Sequence, residues 1–135
     1  MANVVAIFVG GAAGAYVRYL INVGLLGFGY GFPLGTVVEN LLGSFVLGVL
    51  SGVFLVVQSR EWMKLGLGVG LCGGFTTMST FGGDAFHLWM DGQMLEAASY
   101  VSVSVIFGIA LAFLGIHLGM KAGALHGKSG KVGAE

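Results

Sequence analysis

Charged side chains are scarce in this chain, since Asp, Glu, Lys and Arg together make up 9% of its 135 residues. Soluble domains carry about 25% charged residues, so the composition excludes an ordinary soluble fold and indicates an integral membrane protein. The formal charges cancel, which leaves no basic surface of the kind that binds nucleic acid. The lone cysteine, Cys72, excludes an intramolecular disulfide and a cysteine metal cluster.

Hydrophobic residues, by contrast, make up 56% of the chain, the mean hydropathy is +0.94, and 26 residues are glycine. Glycine usually accounts for about 7% of residues, so its abundance here predicts helices that approach closely through small residues. Four apolar stretches reach the length of about 20 residues that a helical span needs. They lie near residues 4–26, 34–57, 65–90 and 97–119. The first lacks the basic start of a signal peptide and is predicted to be a retained span.

The connections between these spans are short, at Gly27–Pro33, Ser59–Lys64 and Asp91–Glu96. Short loops make consecutive helices antiparallel neighbours, so the sequence predicts an all-α membrane protein with one four-helix transmembrane domain over residues 1–120. Residues 121–135 are rich in glycine and lysine and are predicted to form a flexible C-terminal tail.

The third span contains the segment Gly73-Gly74-Phe75-Thr76-Thr77-Met78-Ser79-Thr80-Phe81. Glycine costs about 1 kcal/mol relative to alanine in a helix, and threonine is a weak helix former, so we expect the helix to break here. Non-helical backbone at membrane depth is tolerated only where protein or a water-filled cavity satisfies its polar groups. The segment therefore predicts a polar pathway or ion site near the middle of the bilayer. A Gly/Ser/Thr packing seam between helices is the alternative.

Polar side chains recur every four residues on two other spans, which places each set on one helix face. The second span carries Thr36, Asn40 and Ser44, and the fourth carries Tyr100 and Ser104. Together with the hydroxyl groups of the third span they are neutral donors and acceptors, with no nucleophile–base pair. Such a lining argues against an enzyme and favours passage or recognition of a small ion. The positively polarised ring edge of Phe81 would also favour an anion.

Of the Asp, Glu, Lys and Arg residues, three fall inside the spans: Arg18, Glu39 and Asp84. Arg18 is interpreted either as a snorkelling or paired side chain or as a source of positive potential in a vestibule. Glu39 is by its depth a functional-site hypothesis. Asp84 faces either a vestibule or a polar interface between helices.

In this order and on a chain this short, four motifs resemble the Fluc (CrcB-type) family of fluoride channels. They are Gly10-Gly11-Ala12-Ala13-Gly14-Ala15 with Arg18-Tyr19, Gly35-Thr36 with Asn40, Gly43-Ser44-Phe45, and the third-span segment that runs from Gly73 to Phe81. The resemblance covers the whole four-span core.

The resemblance implies an antiparallel dimer of identical, dual-topology subunits in the inner membrane of a bacterium or archaeon. Two fluoride pores would export cytoplasmic fluoride passively and give fluoride resistance, around a central structural Na⁺ held by the backbone carbonyls of Gly73 and Thr76. The implied pore side chains, with Thr36 added from the polar face of the second span, are Asn40, Met78, Ser79, Thr80, Phe81, Tyr100 and Ser104. From their positions in the spans, Arg18, Glu39 and Asp84 are candidates for electrostatic groups at the vestibule.

Three positions depart from the family pattern. Met78 stands where the family usually has phenylalanine, Glu39 replaces an apolar residue, and Asp84 stands where glutamate is frequent. Methionine has no aromatic ring edge, and an ionised Glu39 in the pore would repel fluoride. We therefore expect Glu39 to lie outside the pore or to be protonated.

The distribution of basic residues suggests a different assembly. The termini and second loop share one side of the membrane and carry Arg60, Lys64 and Lys121, whereas the other side carries at most Arg18. The positive-inside rule then favours a single orientation, so the chain is alternatively one half of a heterodimeric channel with a paralogous partner. A proton-coupled exporter resembling the small multidrug resistance family, with Glu39 as its membrane acid, and a non-transporting assembly subunit are further alternatives.

Overall fold

The computed structural model describes residues 1–25 and 31–132, with side chains described as far as residue 125. Helix α1 spans Ala2–Gly24 and α2 spans Leu34–Val56. The next crossing is built from α3 (Glu61–Lys64), a π-helical segment (Leu65–Cys72), α4 (Gly73–Phe75) and α5 (Met78–Met90), and α6 spans Met94–Val132. The prediction of an all-α membrane protein is confirmed.

Three of the helices are long and apolar enough to cross a membrane: α1, α2 and the Met94–Leu125 part of α6. The third crossing is interrupted, as predicted, because Thr76 and Thr77 have extended backbone conformations between α4 and α5. A π-helix is rare and is frequently found at functional sites, and here it leads directly into the interruption. The bundle therefore consists of three long helices and one broken one.

Two boundaries differ from the sequence prediction. The third crossing begins at Glu61, inside the predicted second loop, because one turn of α3 precedes the apolar segment. Helix α6 continues beyond the predicted span end at residue 119 and through the expected tail as far as Val132, a stretch that contains no proline to end the helix. Residues 26–30, which include most of the predicted first loop, and 133–135 lie outside the described residues.

Glycines hold the helices together at two seams, as the composition predicted. A Cβ atom built on Gly10 or Gly14 of α1 would collide with backbone of the broken crossing, and one on Gly48 or Gly52 of α2 would collide with backbone of α6. Backbones this close exclude any side chain larger than hydrogen. The two seams pair α1 with the π-helical segment and α2 with α6.

The only cluster of buried hydrophobic residues in the described part of the chain lies beside α5. It contains Val37, Leu88, Ala97 and Tyr100, and Phe81 packs against it. Because most other apolar side chains remain exposed, this cluster fixes where α5 sits relative to α2 and α6.

Candidate functional site

The interruption of the third crossing is held open by the side chain of Asn40. Its Nδ2 donates to the carbonyl oxygen of Thr77 at 3.0 Å, and the backbone N–H of Thr77 donates to its Oδ1 at 2.8 Å. These two bonds satisfy backbone groups that would otherwise be unpaired at membrane depth. Asn40, which was predicted as a pore-facing amide, therefore stabilises the helix break through its side chain. The second N–H of its amide group is not used by Thr77.

Thr77 also begins helix α5. Its Oγ1 accepts from the backbone N–H of Thr80 at 3.2 Å, as an N-cap side chain does. The same hydroxyl donates to Thr80 Oγ1 at 3.1 Å and lies 3.3 Å from Ser79 Oγ. Three hydroxyl groups thus gather at the N-terminus of α5, where the helix dipole favours an anion.

Because of these contacts, two backbone N–H groups do not donate to the carbonyl oxygens that they would reach in a continuous helix. In such a helix the N–H of Thr77 would donate to Gly73 and that of Thr80 to Thr76, but they donate to Asn40 and to Thr77 Oγ1. Gly73 and Thr76 are the two residues whose carbonyls were predicted to hold Na⁺. The break therefore releases both of them from helical hydrogen bonding.

Three further observations test whether these carbonyls fit a hard cation. A Cβ built on Gly73 would meet no atom within 4 Å, so this backbone faces open space in the single chain. Arg18 Nη1 donates to the Thr76 carbonyl at 3.5 Å, a long bond that partly occupies this oxygen. The described residues contain no group of three His, Cys, Asp or Glu side chains that would hold a metal. The donor set on offer is therefore backbone oxygen, which suits an alkali cation at a broken helix.

A cleft of about 240 Å³ runs beside the break. It is lined by Asn40, Gly43, Ser44, Leu47, Thr76, Thr77 and Met78. Met78, together with Ser79 and Thr80, is exposed on the surface of the single chain. The cleft and this surface place most of the predicted third-span site residues in one region.

A second group of predicted residues surrounds Asp84. Thr36 Oγ1 donates to Asp84 Oδ2 at 2.7 Å, and the Tyr100 hydroxyl donates to the same oxygen at 3.2 Å. Tyr100 is fully buried, and its ring packs against Phe81 and Phe32 with centroid separations of 5.2 and 5.8 Å. The structure thus brings Thr36, Phe81 and Tyr100 together, with the Tyr100 hydroxyl occupied by the carboxylate.

Asp84 also lines a small cavity of about 130 Å³ at one end of the bundle, with His87 and Asp91. Asp84 therefore contacts polar groups of α2 and α6 and also borders this cavity. Ser104, one turn along α6 from Tyr100, is separate from this group: its Oγ is buried and has no hydrogen-bond partner among the described residues.

Glu39 lies between α1 and α2 with none of its surface exposed. Asn22 Nδ2 donates to Glu39 Oε2 at 2.7 Å and to the carbonyl oxygen of Arg18 at 3.0 Å. Sequence reasoning did not single out Asn22, although an amide one turn after Arg18 in an apolar span was a signal for it. Its contact places the Glu39 carboxylate on the α1 side of α2.

Comparison with known proteins identifies the family to which the chain is similar. The model of the family described as "CrcB-like protein, Camphor Resistance (CrcB)" matches residues 5–116. The protein named Fluoride-specific ion channel FluC 2 from Halalkalibacterium halodurans is 48% identical over 119 residues, which is 88% of this chain and 87% of the relative. FluC 2 of Bacillus subtilis is 40% identical over 125 residues, 93% of each chain. FluC 1 of Staphylococcus aureus NCTC 8325 is 40% identical over 116 residues, 85% of this chain and 94% of the relative.

These relatives confirm the sequence resemblance and, with the apolar helices, the prediction of a multi-pass plasma-membrane protein. Their names are those of ion channels and not of enzymes, in agreement with the lack of a catalytic constellation. The matched region covers most of the four crossings and the whole candidate site. The chain belongs to the CrcB-like family.

Proposed function

We propose that this protein is a fluoride-selective channel that lets cytoplasmic fluoride leave the cell passively. The observation that carries the proposal is the break between α4 and α5, where Asn40 and the Thr77 hydroxyl capture the N–H groups of Thr77 and Thr80. This arrangement leaves neutral hydroxyls and released carbonyls beside a cleft in the third crossing. Fluoride is proposed as the permeating ion because the relatives are named fluoride-specific ion channels.

The proposed anion path uses neutral donors. Hydroxyl protons of Ser79, Thr80 and Ser104 replace part of the hydration shell of fluoride without binding it so tightly that it cannot leave. Ser104 supports this role because its buried Oγ lacks a partner in the described part of the chain. Phe81, whose ring packs on that of Tyr100, is assigned to the same path. The N–H that Asn40 retains is directed to the ion.

The proposed Na⁺ is structural and lies where two subunits meet, held by the carbonyl oxygens of Gly73 and Thr76. A cation held by these residues would offset the partial negative charge of carbonyl oxygens that have lost their helical donors, and would stabilise the break. Exposure of Met78, Ser79 and Thr80 on the single chain supports a second subunit at this surface, because polar groups facing lipid are costly. We propose an antiparallel arrangement, as the family resemblance implies.

One flux experiment tests both the channel function and the identity of the second subunit. Proteoliposomes that contain only this chain are loaded with fluoride or with chloride, and efflux is followed with ion-selective electrodes. Rapid fluoride efflux with little chloride efflux supports a homodimeric fluoride channel. Efflux that needs a co-expressed paralogous chain supports the heterodimer, and absence of flux from either preparation contradicts the channel proposal.

A further inference from the structure

Glu39 is a carboxyl group that the proposed conduction path does not use. None of its surface is exposed, Oε2 accepts one hydrogen bond from Asn22, and Oε1 is buried with no partner among the described residues. A buried carboxylate oxygen without a donor is costly, because ionised groups lose far more hydration energy than neutral ones on burial. A proton on this oxygen removes the charge and leaves the hydrogen bond from Asn22 in place.

The charged and titratable groups around Glu39 come from three other helices. Arg18 of α1, Asp84 of α5 and Tyr100 of α6 are close enough to interact with it electrostatically. Arg18 directs its Nη1 to the Thr76 carbonyl, and the described residues show no salt bridge between Arg18 and Glu39. Asp84 Oδ2 accepts two hydrogen bonds, whereas Glu39 accepts only one. The region holds one cationic side chain and two carboxyl groups. Of the two, Glu39 has fewer hydrogen-bond donors to stabilise a negative charge.

We propose that Glu39 is a proton-binding site, and that occupation of this site by a proton favours fluoride passage through the neighbouring break. The step is a simple protonation: an O–H bond forms at Oε1 as an O–H bond of a hydronium ion breaks, and water is left. A metal ion is a poor alternative occupant, because it needs several oxygen ligands and the described residues offer no three-residue acidic or histidine cluster.

The coupling to fluoride is electrostatic and rests on the proposed channel function. Asn40, the next residue of α2, braces the break, and Arg18 contacts the Thr76 carbonyl at the break. With Glu39 neutral, the positive charge of Arg18 acts on the anion undiminished. With Glu39 ionised, a negative charge offsets Arg18 and repels fluoride. Flux therefore is high at acid pH and falls as pH rises through the titration of Glu39.

The experiment compares wild type with Glu39→Gln, which keeps an oxygen that can accept from Asn22 but cannot ionise. Fluoride efflux from proteoliposomes is measured at equal pH on both sides, from about pH 6 to about pH 9. One unit charge at roughly 10 Å and an effective dielectric of about 20 alters ion occupancy about tenfold. Wild-type flux is thus expected to fall about five- to tenfold over the range, and the flux of the Glu39→Gln protein to stay at its acid level. Glu61→Gln, in the exposed start of α3, is the matched control and should titrate like wild type.

Infrared difference spectra over the same pH range give a readout that does not depend on flux. The C=O stretch of a protonated carboxyl group should be present at acid pH in wild type and absent from Glu39→Gln. Parallel pH profiles of wild type and Glu39→Gln, or loss of pH dependence in Asp84→Asn instead, overturn the assignment to Glu39. Absence of fluoride flux from wild type at every pH contradicts the proposed function, while the infrared band still tests the proton site.

Discussion

Asn40 and Thr77 exchange two hydrogen bonds, with Asn40 Nδ2 on the Thr77 carbonyl at 3.0 Å and the Thr77 N–H on Asn40 Oδ1 at 2.8 Å. A side-chain amide offers both an N–H donor and a carbonyl acceptor, whereas an ionised carboxylate of nearly the same shape can only accept. The pair replaces, for the single residue Thr77, the hydrogen bonds that a regular helix would make. Backbone groups exposed by the interruption of the third crossing are thus satisfied by a residue of a different helix.

Replacement of Asn40 by aspartate is expected to reduce fluoride flux at least tenfold. The variant keeps the acceptor for the Thr77 N–H but loses the donor, and it sets a carboxylate against the Thr77 carbonyl oxygen. Leaving a buried group unsatisfied costs about 1–3 kcal/mol, and the added charge repels an anion. Efflux from proteoliposomes measures the loss, and size-exclusion chromatography checks that the assembly is retained.

The control for added charge is Gln58→Glu, an exposed position after α2, which should leave flux within about twofold of wild type. If Asn40→Asp conducts fluoride as wild type does, the amide is not needed at the break and the assignment of Asn40 to the pore is wrong.

Phe81→Ile tests the aromatic part of the proposed path. Phe81 and Phe32 both pack on the Tyr100 ring, at 5.2 and 5.8 Å between centroids, but only Phe81 belongs to the predicted pore. Loss of an aromatic pair costs about 0.5–1.5 kcal/mol at either position. We expect Phe81→Ile to lower fluoride flux severalfold and Phe32→Leu to lower only the melting temperature. Equal flux in the two variants would assign Phe81 to packing alone.

The location of the break was predictable because its determinants are local. Gly73-Gly74 and the threonines that follow disfavour a continuous helix, and Thr77 carries its own N-cap hydroxyl. The polar face of α2 was likewise predictable from the four-residue spacing of Thr36, Asn40 and Ser44. Periodicity identifies which residues share a face, and the structure adds the partner that each one meets.

Those partners could not be predicted, because each contact joins residues far apart in sequence. Asn22 meets Glu39 only because α1 packs beside α2, and Thr36 meets Asp84 only because α5 packs beside α2. The helical continuation of α6 to Val132 was missed for a different reason. Glycine- and lysine-rich composition resembles that of flexible segments, whereas a helix already under way adds residues at small cost.

Gly14→Ala is expected to destabilise the bundle without adding polarity or charge. A Cβ at Gly14 would collide with the Leu71 carbonyl oxygen and the backbone nitrogen of Phe75, so α1 must move away from the segment that leads into the break. Overpacking of this kind costs about 1–3 kcal/mol. Thermal unfolding followed by size-exclusion chromatography should show a lower midpoint. Gly24→Ala, where a Cβ meets nothing within 4 Å, is the control, and equal midpoints for the two variants would contradict the close seam.

Removal of sodium is expected to lower the stability of the assembled protein, because the released carbonyls of Gly73 and Thr76 then lack a cation. A ligand that binds only the native state at ten times its dissociation constant stabilises that state by about 1.4 kcal/mol. Protein purified with N-methylglucamine as the only added cation should therefore melt at a lower temperature, and titration of Na⁺ at constant ionic strength should restore the midpoint with saturation. Titration of K⁺ is the control for ionic strength and size. A midpoint that does not respond to Na⁺, or that responds equally to K⁺, would contradict a sodium site at these carbonyls. Arg18, which contacts the Thr76 carbonyl at 3.5 Å, would then be the positive group that stabilises them.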